Sequence, residues 1–324
     1  MKIPTALVVA LIFLSWAPAT SRLIANHQGA DFFKGFDFFT GPDPTHGFVE
    51  YVDRTTAWSQ NLIQINQNGQ VIMKADDSGV ASDLGRKSVR ISSKKTYHSG
   101  LFILDAEHIP TGCGVWPSFW SHGPKWPNKG EIDVIEYINN AESNLGTLHT
   151  KEGCKMNKVS RDSFSGYWSY GSDNQPASDC YINATGQYYN QGCSVGTGSG
   201  SAGAPFNAQG GGVYAFNWNR RTGIKMWYFL RHQIPGDVTS GTPNISNWGK
   251  PFANFEFGLS CPYTYFADNK IIFNITFCGS WAGDAFARMC PDIPTSCEDH
   301  VKNNFGYFSQ ARWVINYLKI YTAQ

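Results

Sequence analysis

Three acids within one hexapeptide, Glu131, Asp133 and Glu136 of Glu-Ile-Asp-Val-Ile-Glu, are the residues of this chain best suited to acid–base chemistry. Strand side chains alternate, so Glu131 and Asp133 share a face, whereas Glu136 falls on the opposite one in a regular strand. The intervening Ile132, Val134 and Ile135 are strand formers that belong in a core, where an unpaired carboxylate is costly. One surplus residue, a β-bulge near Val134–Ile135, removes the conflict and puts all three acids on one face. The glutamate Cα atoms then lie roughly 13 Å apart at ~3.3 Å per residue. Side chains leaning inward from that spacing reach the ~5–5.5 Å carboxyl separation of a retaining glycosidase. Asp133 sits between them, able to hydrogen-bond one neighbour. Crowding three acids makes at least one hold its proton to higher pH than a free glutamate, and a departing glycosidic oxygen needs that proton. A solvated acidic strand face is the plainer alternative. A divalent cation would need further oxygen ligands, which are not visible nearby.

The flanking sequence favours chemistry. Upstream, Gly-Cys-Gly-Val-Trp-Pro-Ser-Phe-Trp-Ser-His-Gly-Pro-Lys-Trp-Pro carries Trp116, Trp120 and Trp126, with prolines that hold extended or turn geometry. Tryptophan faces suit the apolar faces of sugar rings, although tryptophans also fill cores, the role expected for Trp120. Downstream, Asn-Leu-Gly-Thr-Leu-His-Thr reads as an antiparallel partner strand, and a hairpin centred near residue 141 sets His149 opposite Asp133. Trp281 lies in a glycine-flanked loop suited to an exposed platform.

The elements that must hold these residues are short strands punctuated by Gly, Pro, Asn and Asp, a pattern that indicates a sandwich or barrel. Only Cys-Glu-Asp-His-Val-Lys-Asn-Asn, near the end, suggests a helical turn or two. The closing Arg-Trp-Val-Ile-Asn-Tyr-Leu-Lys-Ile-Tyr is expected to pair with the N-terminal Phe-Phe-Lys-Gly-Phe-Asp-Phe-Phe, closing residues 20–324 into one domain. A small-residue stretch near residues 192–212 reads as a loop excursion stapled by disulfides. It contains Gly198-x-Gly200-x-x-Gly203, a dinucleotide-type match read as compositional, with no strand expected before it and no helix after it.

Composition sets outer bounds. The chain has 324 residues, 42% hydrophobic and 16% charged, with a formal net charge of +1. That is ample material for a core, and it lacks the basic footprint of a nucleic-acid binder. Residues 1–19 read as a signal peptide cleaved near Ala19, since the apolar run is shorter than the roughly 20 residues a membrane span needs. Secretion makes disulfides expected among Cys113, Cys154, Cys180, Cys193, Cys261, Cys278, Cys290 and Cys297, without choosing their pairing. Asn183, Asn244 and Asn274 head sequons that are candidates for glycosylation.

Together these residues resemble glycoside hydrolase family 16, and within it the fungal endo-1,3(4)-β-glucanase (laminarinase-like) branch. The resemblance rests on Trp-Pro-Asn-Lys-Gly-Glu-Ile-Asp-Val-Ile-Glu, on Gly-Cys-Gly-Val-Trp-Pro-Ser-Phe-Trp, on Thr-Leu-His-Thr and on Ile-Ile-Phe-Asn-Ile-Thr-Phe-Cys-Gly-Ser-Trp-Ala-Gly. The acid spacing fits that family's bulged form, Glu-x-Asp-x-x-Glu. Residues 155–190 and 262–268 show little to align. The resemblance implies an all-β jelly-roll sandwich of two antiparallel sheets with a concave polysaccharide cleft. It implies Glu131 as nucleophile, Glu136 as acid/base and Asp133 as assisting carboxylate, with Trp116, Trp126, His149, Trp281 and Arg90 as substrate-binding residues. The expected substrate is β-glucan, taken by a monomer needing no metal or organic cofactor. A glucan transglycosylase and a non-catalytic β-glucan-binding protein are the alternatives.

Overall fold

The structure, a computed structural model, describes residues 21–324. The expected signal peptide, residues 1–19, lies outside the described residues. Two antiparallel sheets of eight strands each pack face to face. The back sheet runs in the order Ala253–Glu256, Gly223–Leu230, Gly212–Asn219, Gly100–His108, Arg312–Tyr321, Val71–Lys74 and Ile63–Ile65. Its eighth strand, Leu23–His27, pairs with Arg312–Tyr321. The chain ends therefore do meet in one sheet, but through Leu23–His27. Of the aromatic segment expected in that role, residues 32–39, the first half lies in a 3-10 turn, Gly29–Gly35, and Phe36–Phe38 joins the other sheet as an edge strand. The adjacent Phe32 and Phe33 are both buried, which the period-two alternation of a strand does not allow.

The front sheet carries the acids. Its strands are β1 (Phe36–Phe38), β2 (Arg90–Ser93), β3 (Val115–His122), β4 (Glu131–Glu136), β5 (Leu145–His149), β6 (Tyr167–Trp168), β7 (Cys193–Gly196) and β8 (Lys270–Phe277). They lie side by side in the order β6-β7-β5-β4-β3-β8-β2-β1. Inward side chains such as Ile91, Phe119, Ile132, Leu148, Val195 and Phe273 meet Phe102, Leu104, Phe216 and Ile320 of the back sheet in one continuous core. Two stacked ring pairs, Phe119 with Phe273 and Phe102 with Phe216, fill its centre. Of the sandwich or barrel that the strand pattern allows, this is the sandwich, in the jelly-roll form that the family resemblance implies.

All eight cysteines are paired, as Cys113–Cys290, Cys154–Cys261, Cys180–Cys193 and Cys278–Cys297. Two of these bonds staple the strand-poor region after residue 150. That region is more regular than its composition suggests: β7 precedes the Gly198-x-Gly200-x-x-Gly203 match, and a short helix, Gly203–Ala208, follows it. Because β7 is antiparallel to both neighbours, the βαβ unit of a dinucleotide site is absent here. No helix among the described residues is long and apolar enough to cross a membrane.

Candidate active site

The bulge lies at Val134. Along β3, His122, Trp120 and Ser118 are spaced two apart and share a face, and they oppose Glu131, Asp133 and Glu136 respectively. The register slips between Asp133 and Ile135, so one residue of β4 goes uncounted. Ile132, Val134 and Ile135 are wholly buried, while the three acids emerge on the outer face.

Pairing of β4 with β5 stops at Asp133, which leaves the backbone beyond it without a partner on the β5 side. Asn144, fully buried, supplies one. Its Nδ2 donates to the Val134 carbonyl at 2.8 Å, and its Oδ1 accepts from the Glu136 amide at 2.8 Å. Its own amide donates to Thr197 Oγ1 and Ser201 Oγ of the glycine-rich loop. That loop therefore helps to aim Glu136. Sequence reading did not single out Asn144; an asparagine just before the partner strand and eight residues past a bulged acid was the available signal.

Each carboxyl has its own partners. Trp126 Nε1 donates to Glu131 Oε2 at 2.6 Å, and Trp116 Nε1 donates to Glu136 Oε1 at 3.1 Å. His149 Nε2 lies 3.2 Å from Asp133 Oδ2 and 3.7 Å from Glu131 Oε1. His149 is set opposite Glu131, not Asp133, and Thr147 faces Asp133. The hairpin centre falls one residue earlier than expected, which slides the partner by two, yet the imidazole still reaches both acids.

Burial pushes all three carboxyls up. Glu131 rises to about 8, chiefly through desolvation and then through the charge on Asp133. Asp133, the most buried, is raised well above the usual carboxylate range by burial and by Glu136. Glu136 is raised by burial, offset in part by His149 and by hydrogen bonds from Trp116 and Ser118. The three sites thus hold at least one proton at neutral pH, an arrangement suited to proton donation.

Trp281 packs edge-on against Trp116, with ring centroids 5.4 Å apart, behind Glu136. Trp116 is itself largely buried, so its indole serves Glu136 rather than offering an open face. Trp120 does not fill the core. Its indole lies on the outer face, bonded through Nε1 to Asn274 Oδ1 at 2.7 Å and stacked on His122. Arg90 is buried between Phe39 and Trp120, with its guanidinium carbon 4.7 and 5.0 Å from the two ring centroids. Arg90 therefore supports Trp120 rather than opening to solvent itself. Asn274 is also buried, in β8, where its carbonyl holds Trp120. A glycan on that side chain does not fit the folded chain, in contrast to the reading of its sequon. Asn183 is exposed and Asn244 partly so. Glu131, Asp133 and His149 bring three ligand-type atoms within 4.8 Å of one another. The same atoms are engaged with each other, and no further carboxylate or imidazole joins them among the described residues.

A jelly-roll sandwich with three carboxyls of raised proton affinity and indole donors ranged along its front sheet is, as a class, a carbohydrate-processing domain. The family model for the XgeA-like catalytic domain of glycoside hydrolase family 16 matches residues 36–321. The chain belongs to that family. A probable glycosidase of Schizosaccharomyces pombe is 42% identical over 308 residues, covering 95% of this chain and 70% of the relative. Fungal relatives named as endo-1,3(4)-β-glucanases or probable ones match at 39–40% identity, and the chain spans between 42% and 65% of their length. Laminarinase 16A from Phanerochaete chrysosporium, solved with 6-O-glucosyl-laminaritriose in donor and acceptor sites, superposes with a TM-score of 0.85 at 39% identity. That match covers 94% of this chain and all of the laminarinase chain. An elongating family 16 β-1,3-glucosyltransferase superposes with a TM-score of 0.84 at 38% identity over the same shares.

Proposed function

We propose that this protein is a secreted endo-acting β-glucanase that hydrolyses internal β-1,3 linkages, and mixed β-1,3-1,4 linkages as well, with retention of anomeric configuration. The observation that carries the reading is the bulge at Val134, which turns Glu136 onto the face of Glu131 and Asp133. In the first step a Glu131 oxygen attacks the anomeric carbon as Glu136 protonates the departing glycosidic oxygen. In the second, Glu136 takes a proton from water, and the water oxygen displaces Glu131 from the anomeric carbon. Asp133, between the two, lies 3.2 Å from His149 Nε2, and its charge raises the proton affinity of Glu131. The indole of Trp126 and the imidazole of His149 favour the ionised form of Glu131 that the attack requires. The chemistry draws on side chains alone, with no metal or organic cofactor.

Residues 20–324 are read as one catalytic domain acting as a monomer after removal of the leader. Four disulfides fit an oxidising, extracellular destination. The test is Glu131→Gln, expected to abolish turnover of laminarin while the protein still folds and binds glucan. Full activity in that variant refutes the assignment. A second reading, glucan transglycosylation, is favoured by the similarity to the elongating glucosyltransferase. Product analysis on laminarin, with and without an added oligosaccharide acceptor, separates the two: elongated products mark transfer, and shortened reducing sugars alone mark hydrolysis.

A further inference from the structure

The outer face of the front sheet continues well past the acids. Asp133 opposes Thr147 on β5, Thr147 opposes Ser194 on β7, and Ser169, just after β6, takes the Ser194 carbonyl through its amide at 2.9 Å. Directly opposed residues of neighbouring strands project to one side, so this line of hydroxyls floors the same face as the acids. Thr147 and Ser194 also hydrogen-bond each other at 2.9 Å. Two residues along, Leu145, Gly196 and Tyr167 make a parallel line that ends on the sheet edge. Three strand spacings separate β4 from β6, about 14 Å, which is longer than a single pyranose ring.

Tyr167 is seated for display. Its neighbour Trp168 points inward and packs edge-on against Phe164 and Phe255. Tyr167 therefore points outward, and it is 49% exposed. Its ring lies across Gly196, where an added Cβ would come within 2.6 Å of the ring atoms. Gly196 is not in the left-handed region. What its lack of a side chain provides is room for the ring.

We propose that Tyr167 is a specificity-determining platform that binds a glucosyl unit of the β-glucan chain remote from the cleaved bond, with Thr147, Ser194 and Ser169 flooring the path to it. The inference rests on the glucanase reading and deepens it. An aromatic face takes the axial C–H side of a pyranose, and Thr147 and Ser194, buried and bonded to each other, form the base beneath the path. Longer chains then gain affinity that shorter ones cannot reach.

The experiment is isothermal titration calorimetry in the Glu131→Gln background with β-1,3-gluco-oligosaccharides from the trisaccharide to the heptasaccharide. Affinity is expected to rise with length. Tyr167→Ala is expected to weaken heptasaccharide binding about fivefold, and Tyr167→Phe to retain it. Equal heptasaccharide affinity in Tyr167→Ala and its parent overturns the inference. So does an equal loss for the trisaccharide, which marks a general disturbance of the cleft. If the wild-type protein leaves β-1,3-glucan uncut, the hydrolase reading fails, while the length series still decides whether the sheet edge holds sugar.

Discussion

Replacing Glu131 by glutamine is expected to make the protein more stable, by an amount that grows as pH rises from 4.5 and is full above about 8. The glutamate is 14% exposed at its side chain and is pushed from its usual 4.5 to about 8 by burial and by Asp133. Below pH 4.5 the side chain is protonated whether the chain is folded or not, and glutamine changes little. Between 4.5 and 8 the unfolded chain ionises freely while the folded chain resists, so the wild type loses stability that the variant keeps. Above 8 the difference levels off. At 1.36 kcal/mol per pH unit, the full displacement corresponds to a ceiling of about 5 kcal/mol. The groove is open to water, which screens the charge and reduces the gain to ~1–3 kcal/mol. In a chain of this size that raises Tm by roughly 2–6 °C. Glutamine keeps the acceptor for Trp126 Nε1, so no hydrogen bond is lost. Differential scanning calorimetry of both proteins from pH 4 to pH 9 reads the effect. A difference that is absent at pH 8, or equally large at pH 4, refutes the view that Glu131 is held in a desolvated, charge-crowded site.

Three further outcomes follow from the same geometry. Glu136→Gln is expected to lower kcat on laminarin by about 10²–10⁴-fold and to cost much less on aryl glycosides whose leaving group needs no proton, as steady-state kinetics on both substrates will show. His149→Ala removes an influence that lowers the proton affinity of Glu131, so the acidic limb of the kcat/KM pH profile is expected to move to higher pH; an unmoved limb refutes the coupling. Mass spectrometry of peptides from a glycosylating host is expected to find Asn274 unmodified, because its side chain is buried against Trp120; a glycan there contradicts the structure around β8.

The sequence made legible what depends on local alternation. The bulge followed from the clash between Glu136 and three apolar neighbours, and the sandwich from many short strands. Register was harder, because it depends on where a hairpin turns: a centre misplaced by one residue put His149 opposite Asp133 instead of Glu131. Trp120 was misjudged because a tryptophan reads the same in a core or on a groove floor, and only the pairing of Asp133 with Trp120 shows which face it takes. Asn144, marked only by its place before the partner strand, and Gly196 were hard to read for another reason. Each acts on a residue far along the chain or in another strand, through one amide or through an absent side chain, and neither leaves a periodic trace.

The carboxamide that stands in for a missing strand partner has a consequence for how such a domain can diversify. Asn144 fixes the acid at 136 where the ladder ends, and the turn between them is itself anchored: Tyr137, Ile138 and Asn139 are buried, and Asn139 accepts from the Gly114 amide and donates to the Ala282 carbonyl. Changes of length between residues 137 and 143 therefore disturb the core, and remodelling of the groove for new polymers falls to segments outside this turn. A substitution at residue 144 releases both sides of the kink at once.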